Sequence, residues 1–241
     1  MSRKQIVQAR VSSYTNPALE LPLDHIIANQ NGNEHTPKFR CIYADPPWRF
    51  ANRTGKMAPE HRRLHRYRTM TLEEICALPV QEVTTEASHL YLWVPNALLS
   101  YGLEVMKAWG FTYKCNLVWY KIRKDGGPDG RGVGFYFRNV SELLLFGVRG
   151  SMRTLKPGRR MVNIISSRKR EHSRKPDEFY RLIEQCSPGP RLELFARHHR
   201  DGWHQWGDEI DLGRYAPRRL LLERSGEPAR VETPQAALVT V

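Results

Sequence analysis

Four cysteines, Cys41, Cys76, Cys115 and Cys186, stand singly, with no CxxC and no Cys/His ligand spacing anywhere in the chain. That excludes a disulfide framework and a structural zinc site, and leaves the thiols to be read as small buried hydrophobes in a reducing compartment. No apolar run approaches the roughly 20 residues a bilayer span needs, and no apolar segment follows the polar start MSRKQ. A soluble, cytoplasmic protein without a bound metal is therefore expected. Internal repeats are absent. Acid is scarce as well: 25 Asp and Glu face 38 Lys and Arg, a formal net charge of +13 over 241 residues. With 40% hydrophobic and 10% aromatic residues the chain is not disordered wholesale, and its length suits one domain with a real core.

The positive charge is concentrated. Residues 49–68 carry +6, residues 121–138 carry +3 and residues 149–175 carry +9, which leaves the rest of the chain at −5. Each segment is rich in Gly, Pro or polar residues and reads as a loop. Three loops of one sign repel each other if they converge, unless a polyanion meets them. Arg outnumbers Lys 28 to 10, which suits bidentate contact with phosphate. A nucleic-acid partner explains this pattern better than ordinary solvated loops do.

Along the chain, residues 1–20 read as an arm and residues 214–241 as a Pro-rich tail, flanking a domain over 21–213. Strands are expected at Phe39–Ala44, His89–Val94, Thr112–Tyr120, Ser141–Val148 and Arg191–Ala196. A helix starts at Thr71, where Glu74 completes a capping box, and stops at Pro79. A second helix over Asn96–Trp109 is expected to bury Leu99, Leu103 and Met106, and a third covers Pro176–Cys186. The third basic stretch encloses a short apolar segment, Met161–Ile165. Alternating apolar strands and amphipathic helices predict an α/β sandwich with a mostly parallel central sheet.

The sharpest local signal is Asp45-Pro46-Pro47-Trp48 at the end of the first strand. A strand that halts there leaves the Asp45 carboxylate at the carboxyl edge of the sheet, where open α/β folds bind ligands. Pro46 and Pro47 have fixed φ angles and no N–H groups, so the turn is stiff. Two acceptors, the Asp45 carboxylate and the Pro46 carbonyl, would then lie beside an aromatic plane at Trp48. An exocyclic base amine has the complementary pattern, two N–H donors beside a π-face. Fixed acceptors drawing on those N–H groups would free the nitrogen lone pair for attack on a methyl sulfonium, a matter of positioning and electrostatics that needs no metal. In a duplex the base would have to flip out.

The chain resembles the N6-adenine methyltransferases of the MT-A70 family, from about Phe39 to Leu212. The matching blocks occur in matching order: ADPPW (44–48), YRTMTLEEI (67–75), LYLWVPN (90–96), LVWYK (117–121), SELLLFGVRG (141–150), HSRKPDEFYRLIE (172–184), SPGPRLELFAR (187–197) and WGDEID (206–211). The resemblance implies a Rossmann-like, S-adenosylmethionine-dependent sandwich in the permuted motif order, with the cofactor strand after the Asp-Pro-Pro-Trp strand. It makes Asp45, Pro46, Pro47 and Trp48 the catalytic element. It implies cofactor contacts from Asp45, Lys175, Glu193, Arg197 and His199, with Lys175 meeting the cofactor carboxylate. It places Tyr67 on a gate beside the acceptor and Glu142 near the acceptor base, and it makes the basic loops at 49–68 and 121–138 substrate gates, with Arg53, Arg66, Lys121 and Arg138 as substrate contacts. Two departures stand out. Arg200 follows His199 where the family often has Asn, and Asp208-Glu209 stand where an Asn-Gln pair contacts the cofactor ribose; their carboxylates can accept the ribose hydroxyls, so both are expected to bind the cofactor.

The expected activity is methyl transfer to adenine N6 in nucleic acid, with DNA favoured. RNA methylation is the alternative, because nothing in the loops distinguishes the two. A silent nucleic-acid-binding subunit is a further alternative, against which stands the intact Asp-Pro-Pro-Trp turn. Whether the chain works with a second copy or a different subunit stays open.

Overall fold

The computed structural model describes residues 38–49, 69–130, 136–169 and 174–207. The expected arm and tail lie outside these residues, as do Arg53, Arg66, Tyr67, Asp208 and Glu209. The elements in chain order are β1 (Phe39–Ala44), α1 (Leu72–Cys76), α2 (Val80–Val83), β2 (Thr84–Val94), α3 (Leu99–Ala108), β3 (Thr112–Ile122), β4 (Ser141–Arg149), β5 (Ile164–Arg168), α4 (Asp177–Cys186), β6 (Arg191–Leu194) and β7 (His204–Trp206). The strands form one sheet in the order β5-β3-β4-β2-β1-β6-β7. β4 runs antiparallel to β2 and β3, and every other pairing is parallel. This is the mostly parallel, Rossmann-like α/β sandwich expected from the sequence.

Period-2 alternation divides the core between the two faces of the sheet. From β1, Ile42 and Ala44 join Leu90, Leu92, Leu192 and Leu194 in a layer that includes Ile75 of α1, Val80 and Val83 of α2, and Val105 and Met106 of α3. Cys41 and Tyr43 point the other way, into a layer with Tyr91, Trp93 and Phe179, Leu182 and Ile183 of α4. α1 is only five residues long, and its capping box holds its first turn: the Glu74 N–H donates to Thr71 Oγ1 at 3.2 Å and the Thr71 N–H donates to the Glu74 carboxylate at 2.7 Å.

Three expectations are corrected. α3 buries Gly102, Val105 and Met106, while Leu99 and Leu103 are exposed. The reason is close approach: a Cβ at position 102 would lie 2.9 Å from Leu145 Cδ1 and 3.0 Å from Val94 Cγ2, so the helix docks on its glycine face. Two strands were not among those expected: β5, which overlaps the apolar segment Met161–Ile165, and β7. Of the cysteines, Cys41 and Cys186 are buried and Cys76 is half-buried, but Cys115 is exposed where β3 slips register against β4.

Candidate active site

β1 has its sequence neighbour β2 on one side and β6 on the other, both parallel to it. Chain connections leave this pair in opposite directions, so the carboxyl ends of β1 and β6 flank a switch point, where open α/β sheets form a crevice. Asp45 stands there, its backbone N–H reaching Leu194 O at 3.5 Å.

The turn after Asp45 is fastened at every residue. The Trp48 N–H donates back to Pro46 O at 2.8 Å, a three-residue turn, and the Met70 N–H donates to Pro47 O at 2.9 Å. The Pro46 carbonyl keeps one lone pair beyond this bond. Trp48 itself is only 6% exposed, sits in the α1–α3 core layer, and donates its indole N–H to Trp93 O at 2.9 Å. It anchors the turn, and the open aromatic plane expected at this position is not there.

Four charges from four parts of the chain meet at this edge. Lys175, just ahead of α4, places Nζ 3.0 Å from Asp45 Oδ2 and 3.3 Å from Glu142 Oε2. Glu142, at the start of β4, holds Lys121 Nζ at 2.8 Å from its other oxygen. Both lysines lie over tryptophans, Lys175 5.0 Å from the Trp93 ring centroid and Lys121 4.8 Å from that of Trp119. Burial disfavours charge on Lys175, but Asp45 and Glu142 together outweigh it and raise its pKa, so it stays an ammonium. Burial also pushes Glu142 upward, and the two lysines overcome that and hold its carboxyl at about 2. Lys121 is pulled down by burial, with Glu142 opposing. Lys121 was expected to reach substrate from its basic loop. It lies at the end of β3 instead, buried on Glu142.

Beside this chain opens a cleft of about 110 Å³, lined among others by Asp45, Lys175, Tyr180, Glu193, Phe195 and Arg197. Arg197 and His199, both expected at the cofactor, line it too. Glu193 is buried, with Tyr180 Oη donating to one oxygen at 2.6 Å and Gln205 Nε2 to the other at 2.9 Å. Burial raises its pKa despite those two bonds. Arg200 lies 4.1 Å from the Tyr180 ring centroid and pairs with Asp177 and Glu184 on α4. Arg138 remains exposed on its loop and donates to Gly130 O at 2.9 Å.

The sequence reading missed Tyr180, Gln205 and Phe195. Tyr180 lies inside the 172–184 block and Gln205 just ahead of the 206–211 block, but nothing in either marks a partner, and only the packing of α4 and β7 against β6 brings them to Glu193. Phe195 is the non-glycine residue in the described chain with positive φ, at 64°. That backbone state costs on the order of 1 kcal/mol and tends to persist at functional sites. Among the described residues, no group of three or more His, Cys, Asp or Glu could hold a metal ion, and no helix is long and apolar enough to cross a membrane.

A mostly parallel sheet with a crevice at its switch point, and a carboxylate in a Pro-Pro turn beside a polar cleft, place the candidate site on a Rossmann-like fold. The MT-A70 family profile matches residues 39–209, and the chain belongs to that family. It is 32% identical over 190 residues to the N(6)-adenosine-methyltransferase MT-A70-like protein of Drosophila melanogaster, covering 77% of this chain and 29% of that one. To the N(6)-adenosine-methyltransferase catalytic subunit METTL3 of Homo sapiens it is 31% identical over 178 residues, 72% of this chain and 28% of that one. To the type II methyltransferase M.MunI of Mycoplasma sp it is 27% identical over 192 residues, 72% of this chain and 78% of that one. The chain therefore spans little more than a quarter of the length of the two adenosine methyltransferases.

Proposed function

We propose that this chain is an S-adenosylmethionine-dependent methyltransferase that acts on N6 of adenine in nucleic acid, with DNA as its substrate. The observation that carries this reading is the placement of Asp45: a carboxylate at the switch point, held by Lys175 and set in a turn whose next carbonyl keeps a free lone pair. The names of the relatives supply the reaction. The preference for DNA is supported by the similarity to a type II methyltransferase, whose sequence is matched over most of its own length.

The cleft has the donor set such a cofactor needs. Lys175, ion-paired with Asp45 and Glu142, also lines the cleft, where its ammonium can meet the cofactor carboxylate. Arg197 and His199 line the same cleft, Phe195 offers an apolar ring, and Glu193 is an acceptor fixed by Tyr180 and Gln205. When bound, the cofactor supplies an electrophilic methyl on sulfur. Asp45 then accepts one N–H of the adenine amine and the Pro46 carbonyl accepts the other, which localises the nitrogen lone pair. Lys175 holds the Asp45 carboxylate in place, and Trp48 keeps the turn from yielding.

The expected outcome for Asp45→Ala is loss of transfer by a factor of about 100 to 1000, on the scale of removing a preorganised polar group, with cofactor binding by calorimetry still measurable. The assay uses labelled S-adenosylmethionine with duplex DNA, single-stranded DNA and RNA, each digested to nucleosides. Full turnover by the variant would overturn the mechanism, and N6-methyladenine made only in RNA would overturn the substrate.

A further inference from the structure

Trp48 is committed to the core, so bases adjoining a bound adenine need another aromatic surface. Among the described residues, Tyr136 and Phe137 are the most exposed large hydrophobic side chains, at 95% and 86%, ahead of Val162 at 71%. Two adjacent rings left in water forgo burial that a loop without a ligand would be free to make or to avoid by using polar residues.

Their position is informative. They lie on the connection from β3 to β4, which leaves the sheet at Ile122 and returns at Ser141, the edge that carries Lys121 and Glu142. The base of that connection is fastened. The Lys121 N–H donates to Val140 O at 2.7 Å, and the Asp129 N–H donates to Lys121 O at 2.8 Å. Lys169 Nζ lies 3.2 Å from the buried Asp129 carboxylate. Arg138 ties one limb to the other through Gly130 O, and Asn96 Nδ2 donates to Ser141 O at 3.2 Å. Tyr136 and Phe137 thus project from a clamped stem. Glu142 comes six positions after Tyr136, so their Cα atoms are within about 20 Å, a reach that covers the nearest neighbours of an acceptor base in a strand. Arg138 follows directly, and the whole segment 121–138 is net +3. Aromatic rings interleaved with cations in this way match single-stranded nucleic acid, where each base has a face to stack and each phosphate a charge to meet.

We propose that Tyr136 and Phe137 form the stacking platform for the bases that flank the acceptor adenine, in a single strand or an opened duplex. This rests on the reading of the chain as a nucleic-acid methyltransferase.

The test is fluorescence anisotropy of the full chain with a labelled random-sequence 20-nucleotide single strand, in DNA and RNA versions, across a salt series. The Tyr136→Ala, Phe137→Ala double variant is expected to bind about tenfold more weakly for each ring removed. Its slope of affinity against salt should match the unsubstituted chain, because no phosphate contact is lost. Tyr136→Phe and Phe137→Tyr keep a ring and are expected to keep the affinity. Unchanged binding by the double-alanine variant overturns the platform, as does a loss shared by the ring-conserving variants, or no binding of either strand by the unsubstituted chain. A changed oligomeric state by light scattering with unchanged oligonucleotide affinity assigns the rings to a protein contact and overturns it too. Methyl transfer by the unsubstituted chain is scored separately. Its absence on every nucleic acid sinks the methyltransferase reading, while transfer that the alanine variants leave intact, with intact binding, sinks the platform alone.

Discussion

Glu142 lies between Lys121 at 2.8 Å and Lys175 at 3.3 Å, and with Asp45 the four charges sum to zero. A neutral string of this kind can sit at a half-buried edge without a counterion, yet it cannot lose one member cheaply. Burial works to raise the Glu142 pKa, and the two ammonium groups bring it from 4.5 down to about 2. Its contribution to stability is therefore complete above about pH 4.5 and is lost as pH falls toward 2, because only there does the folded state bind the proton the unfolded chain has already taken. Glu142→Gln is expected to destabilise the fold by about 2 kcal/mol at pH 7, less than a fully buried pair would cost, and to flatten the acid limb between pH 4.5 and 2. Urea unfolding at several pH values measures both, and an unaltered acid limb would remove Glu142 from its place between the lysines. The four residue types were all legible in the sequence as site candidates. That Lys175 spends its charge on Asp45, and that Lys121 faces inward, was not, since a lysine in a basic run carries no mark of its direction.

At the scale of elements, the fold follows local signals where those are strong and departs where packing decides. The apolar runs of β1, β2 and β4 announce strands buried on both faces, and the Thr71–Glu74 box announces the start of α1. β5 (IISSR) and β7 (HQW) are edge or near-edge strands, too short or too polar to show a period, and exist because β3 and β6 offer them hydrogen bonds. α3 shows the same limit. Its leucines give a plausible apolar stripe, but the sheet receives Gly102, the one position that lets the helix come close to Leu145 and Val94. Gly102→Val is expected to cost about 2 kcal/mol through overpacking, outweighing any gain in helix propensity, and so to lower Tm by about 4–8 °C. A calorimetric melt checks this, and an unchanged Tm would show that α3 can slide outward freely.

Over the whole molecule, positive charge gathers in residues 49–68, 121–138 and 149–175, while the cleft at the β1–β6 switch point holds both signs. If the loops meet a polyanion at some four phosphates, affinity should fall about 60-fold between 50 and 200 mM salt, a slope near −3. A salt series with the same labelled strand measures it, and a flat response would exclude the polyanion. The amino-acid sequence alone determined the sandwich, the positions of its main strands along the chain, the family and the Asp-Pro-Pro-Trp turn, because strand burial, capping and stiff turns are written in neighbouring residues. Tertiary structure alone decided that Trp48 is an anchor, that Lys121, Glu142, Lys175 and Asp45 form one chain of charge, and that Tyr180 and Gln205 serve Glu193. These partners lie from 12 to more than 100 residues apart. Only closure of the sheet brings them within hydrogen-bond reach, and their direction is set by which face has room and which charge needs a counterpart.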